Sequence, residues 1–412
     1  MRRVAQLLGV VVLALTATLS FGTTAGAGVA SSSWTPADSK SGHTELTGTF
    51  FISPREGWLV GGEHLSADEN VDHTKLGYTV VRHTTDGGKT WLRDAGSKKA
   101  ESAANKGGGG NHELKKVFFV GNRGWIIGEA SDSNGDNVCN INVPATQSVI
   151  LFTSDRGKSW VRQASNTCGD LEDLYMVSGS TGYITAQCYP TNCIGSDQAG
   201  VLKTTDGGSH WNFQPFGLAD CGEAPNAFVS DGISFPERET GYVVDNDCIL
   251  KTTDGGVTWK RQTASGACDV NASTNTCGII EYVTCVDAGR CWASVDSDTS
   301  GTGYVLRLNG NSWTAYPVDT SANVCKQADM DGILFFDDDN GLVFGEDQCV
   351  SGPPGVEKGM MFRTTDGGKT WTPETLPAGT GQLVHGRVRG TGIRSGAAVV
   401  GQGGTVITLD TF

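Results

Sequence analysis

A short stretch that returns several times along the chain constrains the fold more than any other feature of the sequence. Over residues 84–91 it reads TTDGGKTW, and it recurs unchanged over residues 364–371. Three close copies occupy residues 153–160, 204–211 and 252–259, and a more divergent copy ends at Trp313. Five clear copies of one pattern indicate a chain built from repeated structural units.

Each copy has the composition of a tight turn between two β-strands, because it follows a short apolar run and contains Asp-Gly-Gly or a close variant. The aspartate can accept hydrogen bonds from nearby backbone N–H groups, and glycine adopts positive φ angles. The tryptophan is large enough to fill the space between neighbouring sheets. We therefore interpret these positions as structural rather than catalytic. They are Asp86, Trp91, Asp155, Trp160, Asp206, Trp211, Asp254, Trp259, Asp366 and Trp371.

A second signature precedes each copy and has the form Gly-aromatic-apolar-apolar-Gly. It reads GWLVG at residues 57–61, GWIIG at 124–128 and GLVFG at 341–345, and looser forms begin at Gly182 and Gly241. Another apolar strand precedes each of them. One unit is therefore four strands, A to D, with the Asp-containing hairpin between C and D. Four-stranded units in series are typical of a β-propeller.

The tryptophan that opens strand D counts the units, and it occurs seven times. These residues are Trp34, Trp91, Trp160, Trp211, Trp259, Trp313 and Trp371. The last strand stops inside the motif near Asp410, whereas Ser33 to Pro36 resembles the second half of the motif. The sequence thus predicts an all-β protein, a single seven-bladed β-propeller of four-stranded antiparallel blades. Its ring would be closed by pairing of the strand around Trp34 with the C-terminal blade, which removes exposed sheet edges.

These units resemble Asp-box (BNR) repeats, and the resemblance covers nearly all of residues 34–412. With the preceding Gly-Trp strand they are most similar to propellers of the photosystem II assembly and stability factor type, and more distantly to sialidase and xyloglucanase propellers. The resemblance implies a seven-bladed propeller; because one fold hosts many activities, it implies function only at a general level. The chain lacks the Arg-Ile-Pro motif of sialidases and is acidic, whereas the photosystem factors carry a basic patch.

The first residues have the pattern of a secretory signal peptide, with Arg2 and Arg3 before an apolar run and small residues at Ala27 and Ala30 for cleavage. We expect residues 1–30 to be removed and residues 31–412 to form the propeller, which would be secreted. Loss of the two arginines lowers the formal net charge from −14 to −16. An acidic surface disfavours nucleic acid and anionic membranes as partners. We expect no membrane insertion and a monomer.

Two loops carry oxygen-rich sequences, and neither favours a cofactor. The loop after residue 62 contains spaced His and acidic residues, which are typical of solvated loops. Asp132, Asn134 and Asp136 have the alternating spacing of a calcium loop, but Val143 stands where a bidentate glutamate is expected. A calcium site there is the alternative to a plain polar loop, and no other cofactor is predicted. No helix is predicted, and residues 98–111 are interpreted as a flexible link.

Twelve cysteines after a secretion signal predict disulfides. Because strands A and B are antiparallel, the D–A and B–C loops of one blade lie on the same face, so cysteines in these loops can pair. Cys285 and Cys291 flank an A–B turn, and Cys268 and Cys277 are left as a local pair. Cys139 and Cys193 then remain by elimination, and their bond would join the B–C loops of blades 2 and 3. The six predicted pairs are Cys168–Cys188, Cys221–Cys248, Cys325–Cys349, Cys285–Cys291, Cys268–Cys277 and Cys139–Cys193.

The same face offers a candidate binding site, because the residues just past each strand B motif are mostly carboxylates and amides. They are Glu129, Gln187, Asn246, Asp296, Glu346 and Gln402. If they ring the central channel, they offer acceptors to a cation or a polyhydroxyl ligand; the alternative is that strand ends are simply polar. Glycoside hydrolysis needs two carboxyl groups about 5–9 Å apart, and Glu129, Asp296 and Glu346 would be the candidates.

Three functions remain open. The first is a secreted module that binds a protein or glycan through the D–A/B–C loop face. The second is a glycoside hydrolase that uses two of the channel carboxylates. The third is an assembly factor for a membrane complex.

Overall fold

The structure is a computed structural model of the chain. It describes residues 35–36, 44–64, 76–105, 112–130, 148–163, 169–188, 198–216, 232–245, 248–270, 277–296, 303–319, 328–347, 358–388, 396–401 and 404–409. These residues form seven separate sheets and one helix, as the repeat count predicts for a seven-bladed propeller. The strands pair antiparallel, except that residues 264–266 pair parallel with residues 313–315. No helix among them is both long and apolar enough to cross a membrane.

The first three blades contain the strands of the N-terminal half. Strand β1 (Thr35–Pro36) belongs to the last blade. Blade 1 has β2 (Thr44–Phe51), β3 (Gly57–His64) and β4 (Leu76–Thr84). Blade 2 has β5 (His112–Val120), β6 (Arg123–Ala130), β7 (Val149–Thr153) and β8 (Val161–Arg162). Blade 3 has β9 (Gly169–Met176), β10 (Gly182–Cys188), β11 (Gln198–Thr204) and β12 (Asn212–Pro215).

The remaining four blades follow in chain order. Blade 4 has β13 (Gly232–Ser234), β14 (Gly241–Asp245), β15 (Cys248–Thr252) and β16 (Lys260–Arg261). Blade 5 has β17 (Ala264–Gly266), β18 (Ile279–Asp287), β19 (Arg290–Asp296), β20 (Gly303–Asn309) and β21 (Ser312–Val318). Blade 6 has β22 (Ala328–Phe335), β23 (Gly341–Asp347), β24 (Lys358–Thr364) and β25 (Thr372–Pro373). Blade 7 has β26 (Leu383–Val388), β27 (Ala397–Gly401) and β28 (Val406–Leu409), with β1 at its outer edge.

The two ends of the chain meet in blade 7. Strand β1 pairs antiparallel with β28, so that Thr35 lies opposite Thr408 and Pro36 opposite Ile407. Blade 1 also packs directly on blade 7, because Leu46 and Trp91 share a buried cluster with Val400. Residue 34 itself lies outside the described residues. The strand pairing and the apolar contact together join the first and last blades.

The Asp-containing hairpins owe their shape to a compact set of local hydrogen bonds. In blade 4, the hydroxyl of Thr252 donates to Asp254 Oδ1 (2.8 Å) and accepts from the N–H of Gly256 (2.9 Å). Asp254 also accepts from the N–H (2.9 Å) and the hydroxyl (2.6 Å) of Thr258. The hydroxyl and backbone hydrogen bonds from Thr258 lower the pKa of Asp254 to about 2. Equivalent bonds occur in the copies at Asp86, Asp155, Asp206 and Asp366.

The two sequence signatures meet each other across the blade interfaces. The aromatic residue of one blade donates a hydrogen bond to a backbone carbonyl in the Asp-containing hairpin of the next blade. The pairs are Trp125 Nε1 to Gly207 O (3.1 Å), Tyr183 Oη to Gly255 O (2.8 Å) and Trp292 Nε1 to Gly367 O (2.8 Å). Because buried polar groups must be paired, these bonds fix the orientation of one blade on the next. We call this contact the blade lock.

Between blades 1 and 2, the blade lock consists of close packing of the aromatic residue against the hairpin. Trp58 is 1% exposed and stacks on His83 with a centroid distance of 4.2 Å. It contacts Trp160 edge-on (5.9 Å) and lies against Gly157, where an added Cβ would stand 2.2 Å from Trp58 Cζ2. Gly157 has a φ of 81°. A glycine is therefore required there by both backbone conformation and space.

One helix corrects the prediction that the chain has none. Helix α1 (Ala95–Ala104) lies between blades 1 and 2, so residues 98–104 are not a flexible link; residues 106–111 lie outside the described part of the chain. Asp94 caps it by accepting from the N–H of Ser97 (2.8 Å). Ala100 and Ala104 are fully buried and pack with apolar residues of blades 1 and 2. Alanine has the highest helix propensity and lets the helix lie close to the sheets.

Candidate functional site

The first strand of each blade, strand A, surrounds the central axis. These strands are β2, β5, β9, β13, β18, β22 and β26, and each packs against strand A of both neighbouring blades. Strand A begins, and strand B ends, at the same edge of every blade because the two are antiparallel, as Thr44 opposite Glu63 and His112 opposite Ala130 illustrate. That edge forms one mouth of the central channel.

Side chains from non-adjacent blades meet across the axis. Lys116 Nζ of blade 2 lies 5.2 Å from the ring centroid of Tyr282 in blade 5, a cation–π contact. The ring of Tyr282 contacts that of His385 in blade 7 edge-on at 5.9 Å. His385 Nδ1 accepts from the N–H of Thr49 in blade 1 (3.2 Å), so this ring nitrogen carries no proton. These three side chains form a floor that crosses the channel.

β-Bulges change the direction of strand A side chains between this floor and the mouth. The pairing of strands A and B shifts register close to the start of strand A in six blades: those containing β2, β5, β9, β18, β22 and β26. A bulge inserts an extra residue and redirects its side chain. The shifts fall at Glu281 in blade 5 and at Met330 and Asp331 in blade 6.

Four carboxylates converge near the shift in blade 6. Asp331 lies close enough to Glu281, Glu346 and Asp329 for their charges to act on it. Burial, followed by the negative charges of Glu281 and Glu346, raises the pKa of Asp331 well above its usual range. Gln382 of blade 7 donates from Nε2 to Asp331 Oδ2 (3.2 Å). A carboxyl group with a raised pKa is thus held beside other acidic groups.

In blades 2 and 3, a lysine lies among acidic side chains at the same end of strand A. Lys115 Nζ is 3.9 Å from a carboxylate oxygen of Glu113 in its own blade and 3.9 Å from one of Glu172 in blade 3. Each of the three side chains is about one-fifth exposed. We call the set Glu113, Lys115, Glu172, Glu281, Asp329, Asp331 and Glu346 the acidic mouth. It contains one cation and six carboxylates from four blades.

The predicted column of polar residues follows strand B at this edge. Glu129 lies opposite Glu113, Gln187 opposite Asp170, Asp296 opposite Ile279, and Glu346 opposite Asp329. Asp296 and Glu346 are 9% and 5% exposed, and the structure places Glu346 in the carboxylate cluster. Asn246 and Gln402 lie outside the described residues.

The sequence analysis did not identify those residues of the acidic mouth that lie on strand A. Glu113, Glu172, Glu281, Asp329 and Asp331 were not singled out, although each stands within the first few residues of its strand. Acidic residues at the start of an apolar strand were the available signal. The bulges obscure this signal, because they interrupt the alternation of inward-facing and outward-facing residues by which the positions facing the channel are predicted.

Two of the predicted disulfides are present. Cys268 and Cys277 are bonded with a Cα–Cα distance of 5.0 Å, and Cys285 and Cys291 with 4.0 Å. Cys248 is also disulfide-bonded. Cys139, Cys168, Cys193, Cys221, Cys325 and Cys349 lie outside the described residues, as do Asp132, Asn134 and Asp136 of the weak calcium candidate. Within the described ranges, no group of three or more His, Cys, Asp or Glu side chains could hold a metal ion.

Comparison with known proteins agrees with this architecture. Residues 362–373 match the BNR/Asp-box repeat. None of the curated proteins compared with the chain matches it. The repeat model covers the hairpin of blade 6, where Asp366 and Trp371 lie.

Several solved structures share the fold at low sequence identity. YCF48 from Cyanidioschyzon merolae is 16% identical with a TM-score of 0.57, over 91% of this chain and 98% of that one. The GH74 enzyme of Niastella koreensis is 13% identical with a TM-score of 0.56, over 91% of this chain and 53% of that one. Virginiamycin B lyase from Staphylococcus aureus is 9% identical with a TM-score of 0.54, over 92% and 99%. Since similar propellers include enzymes and YCF48, which is also seen bound to a D1 peptide, these likenesses establish the fold alone.

Proposed function

We propose that the protein is a secreted module that binds a protein or glycan partner through the acidic mouth and catalyses no reaction. The leader pattern of residues 1–30 supports secretion. The observation that carries the binding proposal is that four blades place carboxylates at one end of the axis, in two groups, one in blades 2 and 3 and one in blades 5 and 6. Rigid blades hold these groups in place, which lowers the entropic cost of binding.

The chemistry of the mouth favours a partner that brings positive charge or hydroxyl donors. Six carboxylates and one lysine give it an excess of acceptors, and the chain as a whole carries a formal net charge of −14. A lysine or arginine side chain of a protein fits this requirement, as do the hydroxyls of a glycan. Such an acidic surface repels nucleic acid.

The test is a glycan array and a pull-down from secreted material, each performed with the wild type and two variants. Glu346→Gln neutralises a carboxylate of the mouth. Glu237→Gln makes the same change at an exposed A–B turn of blade 4, at the opposite end of the blades. We expect at least about tenfold weaker binding for Glu346→Gln, the usual effect of losing a charge-assisted hydrogen bond. Equal affinities for the two variants would contradict the proposal.

One observation favours glycoside hydrolysis as the second candidate. A carboxyl group with a raised pKa can serve as general acid, and a second carboxylate near it can serve as base or nucleophile. Asp331, whose pKa is raised, would be the acid, and Glu346 or Glu281 the partner. Turnover of a sialoside or polysaccharide that disappears in both Asp331→Asn and Glu346→Gln would favour this candidate. Glycan binding without turnover favours the binding module.

A further inference from the structure

We propose that the cleft between helix α1 and strand β4 is a second binding site, which takes a tetrahedral oxyanion, the phosphate or sulfate group of a small polar molecule. The cleft has a volume of about 450 Å³. That size lies within the range of small-molecule sites, roughly 300–1,000 Å³. None of its lining residues belongs to the acidic mouth, and three of the four charged side chains in its lining are cationic.

The three cations of the cleft are Arg82 on β4, Arg93 just before the helix and Lys98 in its first turn. The carboxylate that lines the cleft with them belongs to Glu101. The lining thus carries three positive charges and one negative charge, an excess of two. An excess of this sign stands out in a chain whose formal net charge is −14.

The hydrogen-bonding capacity of Glu101 is already used by its neighbours. Its Oε1 accepts from the N–H of Val81 (3.2 Å) and from Arg82 Nη1 (3.0 Å), and its Oε2 accepts from Arg93 Nε (2.6 Å). Glu101 is only 6% exposed, so its buried carboxylate orients both guanidinium groups from the protein side of the cleft. One carboxylate cannot neutralise both arginines.

Donors remain available after these bonds are counted. A guanidinium group has five N–H donors. Arg82 uses Nη1 for Glu101 and for the carbonyl of Val81 (2.9 Å), and Arg93 uses Nε. The Nη2 group of Arg82 and both terminal groups of Arg93 make no hydrogen bond to the described residues. The ammonium group of Lys98 makes no ion pair with them either.

The remaining donors match an oxyanion better than a neutral ligand. The planar fork of arginine binds two oxygens of a phosphate or sulfate group side by side. Lys98 lies near the N-terminal end of α1, where the helix dipole favours negative charge. At the other end of the cleft, Asn105 Oδ1 accepts from the hydroxyl of Thr79 (3.0 Å), which leaves the amide N–H₂ to donate to polar groups of the ligand.

The experiment is calorimetric titration of the purified protein with inorganic phosphate and with sulfate, at constant ionic strength maintained with chloride. Arg93→Gln and Lys98→Gln each remove one cation of the cleft. Lys99→Gln removes the same charge from the same helix, but Lys99 points away from the cleft and donates to the carbonyl of Lys158 (2.9 Å). Because Lys98 is exposed and its ammonium group makes no hydrogen bond or ion pair with the described residues, its variant separates binding from stability.

We expect saturable binding of at least one of the two anions, weakened about tenfold or more by Arg93→Gln and by Lys98→Gln and unchanged by Lys99→Gln. Preference for phosphate indicates a phosphate ester as the ligand, and preference for sulfate indicates a sulfate ester. Absence of saturable binding by both anions overturns the proposal. An equal loss in Lys99→Gln also overturns it, because the effect would then be one of general charge.

Discussion

The blade lock between blades 1 and 2 gives the sharpest test of how the propeller is held together. Gly157→Ala adds one methyl group at a position where Cβ would stand 2.2 Å from Trp58 Cζ2. Trp58 cannot move aside easily, because it stacks on His83 and meets Trp160 edge-on. The methyl group must therefore push two blades apart or distort the hairpin.

The expected loss in the free energy of unfolding of Gly157→Ala is the sum of two effects. A non-glycine residue at the φ of 81° costs about 1–2 kcal/mol. Overpacking a buried site costs a further ~1–3 kcal/mol. Gly121→Ala is the matched control, because Gly121 also has a positive φ, 61°, but its added Cβ meets nothing within 4 Å. We therefore expect Gly157→Ala to lower the free energy of unfolding by about 1–3 kcal/mol more than Gly121→Ala does.

Urea unfolding at 25 °C, followed by tryptophan fluorescence, measures the difference directly. The comparison is made between the two alanine variants and the wild type, with the slope of each transition checked for equality. Equal destabilisation by the two variants would refute the reasoning. It would mean that the contact between Trp58 and Gly157 carries no packing constraint.

Three further predictions concern single side chains. Asp331→Asn should raise the free energy of unfolding at pH 7.5, because the raised pKa of Asp331 means that ionisation of this carboxyl group destabilises the fold. The gain should be lost as the pH falls below the ordinary value of 3.8, where the wild-type carboxyl becomes protonated in both the folded and the unfolded state. Asp254→Asn should do the opposite. Because the pKa of Asp254 is lowered from 3.8 to about 2 in the folded protein, its ionised carboxylate stabilises the fold above pH 3.8. The variant should therefore be less stable than the wild type at pH 7, and the difference should be lost as the pH falls through about 2. Urea titrations across this pH range measure both. Tyr183→Phe should cost about 1 kcal/mol in the same assay, because it removes the hydrogen bond to the carbonyl of Gly255.

The repeated elements of the fold were readable from the sequence because their interactions are local. The hydrogen bonds by which Asp254 and Thr252 shape their hairpin all lie between Thr252 and Thr258. Such bonds depend on neighbouring residue types alone, so the motif predicts the turn. The closing pair β1–β28 was also predictable, because each chain end carries half of a known motif.

Helix α1 and the blade lock depend on contacts between residues that are distant in the sequence, and a local sequence pattern does not predict such contacts. The sequence around Ala100 looks like a polar link, and its helical state follows from burial of small side chains against two blades. Likewise, the Gly-aromatic signature predicted a strand, but not that Trp125 would donate to a carbonyl 82 residues later. Tertiary packing decides such features.

The candidate site was predicted in part. Glu346 and Asp296 were found because strand B ends in a recognisable pattern. Glu281 and Asp331 were not, because the bulges in β18 and β22 shift the register between strands A and B. One inserted residue exchanges the two faces of a strand, and no turn residue marks it in the sequence.

Hydrogen–deuterium exchange of the protein, with and without the partner identified by the array or pull-down, tests the central claim most directly. We predict that binding slows exchange at the starts of β5, β9, β18 and β22, where the strand A residues of the acidic mouth lie. Slower exchange confined to the hairpins at residues 84–91 and 252–259, at the opposite end of the blades, would contradict it.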